Sequence, residues 1–180
     1  MLSNEQQQVE QWLDKVVIGL NLCPFAAKPR RNKQIRFKVS QALTDEVLIA
    51  DLFDELRFLE KTPASELETT LVIVPNMLAK FDDYNQFLDI TDNLLIEYNW
   101  EGIFQIASFH PNYCFAVTNP NDVENLTNRA PYPILHLLRE DSLTTALENM
   151  TAPDEVYKRN IHTMNQLSKQ QIQTLFPYLK

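Results

Sequence analysis

Along the first stretch of the chain, Val9, Trp12, Leu13, Val16, Val17 and Leu20 recur at helical spacing, with polar residues between them. That pattern predicts an amphipathic helix burying one face. Ser3 and Gln6 supply a capping-box signature at its start. Pro24 disfavours helical geometry at Cys23, so the helix is expected to stop near Leu22. A short strand is predicted near Ile35–Val39. Thr44 then caps a second helix, with Val47, Leu48, Leu52, Leu56 and Leu59 on its inner face and Pro63 closing the region. The β-branched run ETTLVIV, ended by Pro75, reads as a buried strand.

A third helix is expected from about Phe81 to Tyr98, burying Phe81, Tyr84, Phe87, Leu88, Leu94 and Leu95. The segment IFQIASF ending at Phe109 reads as a strand, and Tyr113 to Val117 as its continuation or partner. After a polar loop, Ile134 to Arg139 forms the last strand. Asp141 caps a helix through Met150, Pro153 starts another to about Leu167, and Ser168 with Gln171 begins a short terminal one. Strands separated by helical patterns imply a layered sheet, and the closely spaced later strands imply antiparallel pairing. The expected class is α+β: a single domain over residues 1–180, with a mixed sheet of about four to five strands packed by helices.

Composition narrows the function. The 180 residues are 44% hydrophobic and 22% charged, ordinary for a globular fold that needs no disulfide staples. The first residues lack a signal-peptide pattern, and no apolar run approaches a membrane span, so a cytoplasmic protein without membrane contact is expected. The net charge of −8 argues against extended nucleic acid as a partner. Yet Lys28 to Lys38 carries six of the sixteen basic residues and no acid, a cationic strip suited to a small anion. With only two glycines, Gly19 and Gly102, no Walker loop, dinucleotide fingerprint or nucleophile elbow can be written, and no cofactor is expected.

Candidate chemistry concentrates between Phe109 and Glu140, which holds two of the three histidines and four of the ten prolines. His110, at a strand end before Pro111, is a candidate general acid or base, or else a capping histidine. His136 alternates with Ile134 and Leu138 and reads as buried, with a structural hydrogen bond the favoured role. Arg129, after Asn128 and before the stiff Ala130-Pro131-Tyr132-Pro133 segment, is placed to grip a carboxylate or phosphate. Asn128 and Tyr132 stand beside it as candidate substrate contacts. Arg139 is expected to pair with Glu140 or another acid.

Outside that window, Cys23 at the helix exit is a candidate nucleophile if a base or cation reaches it, and otherwise a small buried hydrophobe. Cys114, between Tyr113 and Phe115, favours a structural role. Arg30, Arg31 and Arg36 are the strip's candidate anion contacts. Cys23, His110, Cys114 and His136 have ligand-type side chains, but their spacing fits no zinc motif, and no metal site is expected. Asp82, Asp83 and His162 read as solvated helix positions.

Together, Asn21-Leu22-Cys23-Pro24-Phe25, Glu68-Thr69-Thr70-Leu71, Phe109-His110-Pro111 with Tyr113, and Asn128-Arg129 through Pro131-Tyr132-Pro133 to His136-Leu137-Leu138-Arg139-Glu140 carry a resemblance. The chain resembles the bacterial family catalogued as domain of unknown function DUF1415, from the first helix to the Glu140 region. The resemblance implies a bacterial single-domain protein of similar size and adds no reaction.

Three functional expectations follow. The first is an enzyme acting on a small anionic metabolite, with His110 as acid or base, Arg129 as anion clamp and Cys23 as nucleophile. The second is a non-catalytic anion- or nucleotide-binding module using Arg30, Arg31 and Arg36 with Arg129. The third makes the polar window a scaffold that satisfies buried backbone groups around the proline-rich turn.

Overall fold

The computed structural model describes residues 2–148 and 155–179. Four strands, β1 (Ile35–Val39), β2 (Thr69–Ile73), β3 (Phe104–Phe109) and β4 (Ile134–Arg139), form one sheet in the order β1-β2-β4-β3. β1 and β2 run parallel, and helix α3 (Asp45–Lys61) supplies the crossover that parallel neighbours need. β4 is antiparallel to both β2 and β3, so the sheet is mixed and the fold is α+β.

Side-chain alternation divides the sheet into two buried faces. One carries Val72, Leu135 and Leu137 against Leu48, Leu52, Leu56 and Leu59 of α3 and Tyr84 and Phe87 of α4 (Phe81–Glu97). The other carries Leu71, Ile73 and Ile134 against Val9, Trp12, Leu13 and Val16, with Met164 and Phe176. Met164 lies on α6 (Glu155–Asn165), and Phe176 closes α7 (Lys169–Leu175). β2 therefore has helices on both sides, and its five residues are all buried.

The N-terminal helix departs from regular geometry where it approaches the Cys23 turn. α1 (Asn4–Trp12) passes into a π-helical stretch, Leu13–Ile18. The Gly19 amide reaches back to Asp14 O at 3.0 Å and the Leu22 amide to Val17 O at 2.9 Å. A side chain at Gly19 would collide with the Lys15 carbonyl, so the wide turn needs glycine there. Asn21 then adopts a left-handed backbone, φ 54°, and the chain leaves the helix ahead of Cys23.

Most predicted elements appear within a residue or two of their expected ends; the first helical stretch closes at Ile18 rather than near Leu22, and a short helix, Ala27–Arg31, stands in the basic strip where the sequence predicts none. Tyr113 to Val117 is not a strand: turn bonds from the Tyr113 amide to His110 O and the Thr118 amide to Phe115 O curl it. Its apolar alternation reflects ring packing, because Tyr113 meets Phe81 and Phe115 while Val117 is 97% exposed. Val47 lies on the outer side of α3 rather than its inner face. Ser3 accepts the Gln6 amide at 3.2 Å, but the Gln6 side chain turns to Glu10, so that capping box is half formed. At Ser168 and Gln171 the box is complete. Thr44 holds the N-cap position of α3 without a side-chain bond to the helix amides.

α5 (Glu140–Glu148) follows β4 directly; its expected extension to Met150 and the helix start at Pro153 lie outside the described residues. Among the described residues, no helix is long and apolar enough to cross a membrane.

Candidate functional site

The helix exit, the end of β3 and α6 line an open pocket of about 390 Å³. Its walls are mostly apolar, with Val17, Leu22, Phe109, Phe115, Val156 and Tyr157. Four polar side chains face it: Cys23, Thr127, Asn128 and Asn160. A cavity of this size, apolar with a few converging polar groups, has the make-up of a small-molecule site.

Cys23 owes its place to the Cys23-Pro24-Phe25-Ala26 turn, closed by the Ala26 amide on Cys23 O at 3.3 Å. Burial pushes the thiol pKa up, while the backbone amides of Phe25 and Ala26 pull it the other way and do not prevail. Burial thus favours the neutral thiol.

Asn160 comes from α6. Its Nδ2 donates to Leu22 O at 2.8 Å, and the neighbouring Arg159 donates to Asn21 O at 2.9 Å, so two side chains of α6 grip the helix exit. Asn160 Oδ1 is buried and has no hydrogen-bond partner. A buried acceptor in that condition costs roughly 1–3 kcal/mol unless something donates to it.

Asn128 reaches the cavity at the end of the 3-10 helix Val123–Asn128. Its Nδ2 donates to Ser108 O at 3.2 Å and its Oδ1 accepts from Thr127. Of the residues singled out from the sequence, Cys23 and Asn128 come together here.

His110 and Arg129 do not line this cavity. The His110 ring is fully buried beside Phe81 and Tyr84. Its Nδ1 accepts the Asn112 amide at 2.9 Å, which leaves Nε2–H to donate to Leu78 O at 3.0 Å. Burial lowers its pKa, against the opposing pull of the Leu78 and Ala79 backbone. Both nitrogens are committed, so this geometry is that of a neutral ring tying two loops rather than of a free acid or base.

Arg129 spreads over loop carbonyls, with Nε donating to Tyr113 O at 3.2 Å and Nη2 to Pro120 O at 2.5 Å. Its own carbonyl accepts the Tyr178 hydroxyl at 3.1 Å. Tyr132 packs against the α1 side of the core, its hydroxyl beside Gln8.

Half of the basic strip is spent inside the molecule. Arg30, in α2 (Ala27–Arg31), grips Asp14 with two bonds of 2.8 Å and Glu10 at 3.0 Å, which raises its pKa. Arg36 holds the buried Glu55 at 2.7 and 3.1 Å and lies over the Phe58 ring. Lys38 pairs with Asp51 at 3.6 Å. Each pair of acids sits four residues apart on a helix, so each presents two carboxylates to the strip. Arg31, Lys28 and Lys33 are exposed.

The His136 and Arg139 side chains of the polar window are bonded within the fold. Thr69 donates to Leu137 O at 2.5 Å and accepts His136 Nε2–H at 2.7 Å. Burial draws the His136 pKa down to about 4. Arg139 does not pair with Glu140: its Nη2 donates to Leu59 O and Thr62 O at 2.6 Å and to Leu67 O at 3.1 Å. Carbonyls at the C-terminus of α3 carry the negative end of the helix dipole, so a guanidinium suits them. Cys114 lies among Phe115 O, Thr118 and Asn125 in the Tyr113–Asn125 loop.

Sequence reading missed Asn160 and the cavity's aromatic walls. One signal was present: Val156, Asn160 and Met164 share a face of α6 at spacing four, so an amide interrupts an otherwise apolar stripe. Neither a curated protein nor a solved structure matches the chain. The family model described as "Protein of unknown function (DUF1415)" matches residues 4–174, nearly the whole chain, and the protein belongs to that family.

Proposed function

We propose that this protein binds a small, largely apolar molecule carrying one hydrogen-bond donor in the Cys23 cavity. The observation that carries the reading is Asn160, a residue of the wall that also holds a thiol, whose Oδ1 is a buried acceptor with no partner. A ligand N–H or O–H there would satisfy the acceptor while its body displaces water from the surrounding aromatic and aliphatic walls. His110 and Arg129 enter as supports, because their bonds fix the loops behind Asn128 and Phe115. Both cysteines are free, which fits a reducing, cytoplasmic setting.

The test is protection of Cys23 from alkylation, with Cys114→Ser removing the second thiol. Apolar compounds with one donor should slow iodoacetamide modification, and Asn160→Leu should abolish the protection while the protein stays folded. Protection that is unchanged in Asn160→Leu would sink the assignment.

A second reading keeps an anion-binding surface on the basic strip, with Arg129 outside it. It is favoured by Lys28, Arg31 and Lys33, which are exposed and make no ion pair among the described residues. Replacing all three with Gln should then weaken inorganic phosphate binding, and added salt should do the same.

A further inference from the structure

A second cavity, about 240 Å³, lies on the other side of Trp12, between α1 and the segment following α7. Trp12 is only 4% exposed, and its indole Nε1–H is buried without an acceptor. Lys15, one turn further along the same helix face, also lines the cavity and makes no ion pair among the described residues. No aspartate or glutamate lines it, whereas Pro131, Leu175 and Pro177 supply apolar walls. The Tyr178 hydroxyl at its edge is already committed to Arg129 O. The lining therefore brings the Lys15 cation, the neutral polar side chains of Gln8, Gln11 and Thr174, and the buried Trp12 donor together without a carboxylate.

We infer that this cavity is a binding site for a small monocarboxylate with an apolar body, its carboxylate held by Lys15 and the Trp12 indole. The assignment follows from complementarity. An indole N–H can only donate, an ammonium can only donate, and a carboxylate accepts from both. A hydrocarbon or aromatic body fits the proline- and leucine-lined walls. This site is independent of the Cys23 cavity. The two are separated by the Trp12–Phe109 edge-to-face contact, with ring centroids 5.2 Å apart.

The chain has two tryptophans, so the test reads the two indole N–H signals of the full-length protein by NMR. Trp100 Nε1 donates to Glu60, and Glu60→Gln will move that signal and so assign the pair without touching Trp12. Sodium benzoate is titrated at constant ionic strength, with benzamide as the uncharged counterpart. The Trp12 signal should shift saturably with benzoate, and both benzamide and the exposed substitution Lys15→Gln should weaken binding roughly tenfold, the size of one charge-assisted hydrogen bond. The inference is overturned if the Trp12 signal stays still, as it would with its N–H directed at the Phe109 ring. It is equally overturned if Trp100 responds instead, or if Lys15→Gln titrates with an unchanged midpoint.

Discussion

The backbone amide of His110 donates to the carbonyl of Asn128 at 3.2 Å, and the Asn128 side chain returns to Ser108 O at 3.2 Å. Through these two bonds the end of β3 and the end of the 3-10 helix become one unit. Asn128 is left on the cavity wall, while the His110 ring is turned into the core between Leu78 and Asn112. The two neighbours thus have different tasks: one shapes the site and the other braces it.

If His110 is a brace, His110→Ala leaves the Leu78 carbonyl and the Asn112 amide without their partner and opens a gap beside Tyr84. The expected cost is about 2–4 kcal/mol of folding stability, measured by urea denaturation. A loss below about 0.5 kcal/mol, the size of an ordinary surface change, would contradict the role.

Arg139 gathers three carbonyls at the end of α3 and just after it. Lysine keeps the charge but cannot spread donors across Leu59, Thr62 and Leu67, so Arg139→Lys should cost about 1–3 kcal/mol. Hydrogen exchange should quicken first at the C-terminal turn of α3. Uniform exchange throughout the chain would argue against a local clamp.

His136 makes stability depend on pH. Burial lowers its folded-state pKa to about 4, below the ~6.5 of an unfolded histidine. The unfolded chain therefore binds the proton first. The stabilisation is complete above about pH 6.5 and is lost as the pH falls towards 4, on the order of 3 kcal/mol at most. His110 adds a shift in the same direction. Denaturation midpoints between pH 7 and pH 4.5 should fall in the wild type and fall less in His136→Gln.

Cys23 should alkylate slowly at neutral pH, because burial holds it as a thiol. In the Cys114→Ser background, the rate of iodoacetamide modification should rise with pH along a curve displaced above that of a free cysteine peptide. A midpoint below the peptide's would mean that the amides of Phe25 and Ala26 outweigh burial, and that the thiol is already activated.

The layers of this fold were legible because periodicity reports which side of an element is buried. Leu48, Leu52, Leu56 and Leu59 mark the inner face of α3 at helical spacing, and the β-branched run around Leu71 marks the central strand. The Tyr113–Val117 segment misled for the same reason: its alternating rings pack on Phe81 and each other, and alternation alone cannot separate ring packing from a strand ladder. Pro24 marked where the helix can no longer continue, but the helical stretch already closes at Ile18 rather than near Leu22, and the π-turn at Gly19 carried no pattern that marked it in advance.

At the site, residue type was a poorer guide than position. His110 and Arg129 looked like functional groups and Arg139 like half of an ion pair, but each found backbone carbonyls that only the folded chain brings near. Asn160 looked like an ordinary polar helix residue until Leu22 took its amide and left its oxygen buried. Sequence spacing does not distinguish a side chain that will meet a carbonyl from one that will meet a ligand.

A crystal structure after soaking with a fragment library of small apolar compounds, each bearing one donor, shows whether the Cys23 pocket is a binding site. Fragments should collect in the cavity between Cys23, Phe109, Asn128 and Asn160, with an N–H or O–H within hydrogen-bond distance of Asn160 Oδ1. Fragments bound elsewhere on the surface, with that cavity empty and Asn160 Oδ1 still without a partner, would contradict it.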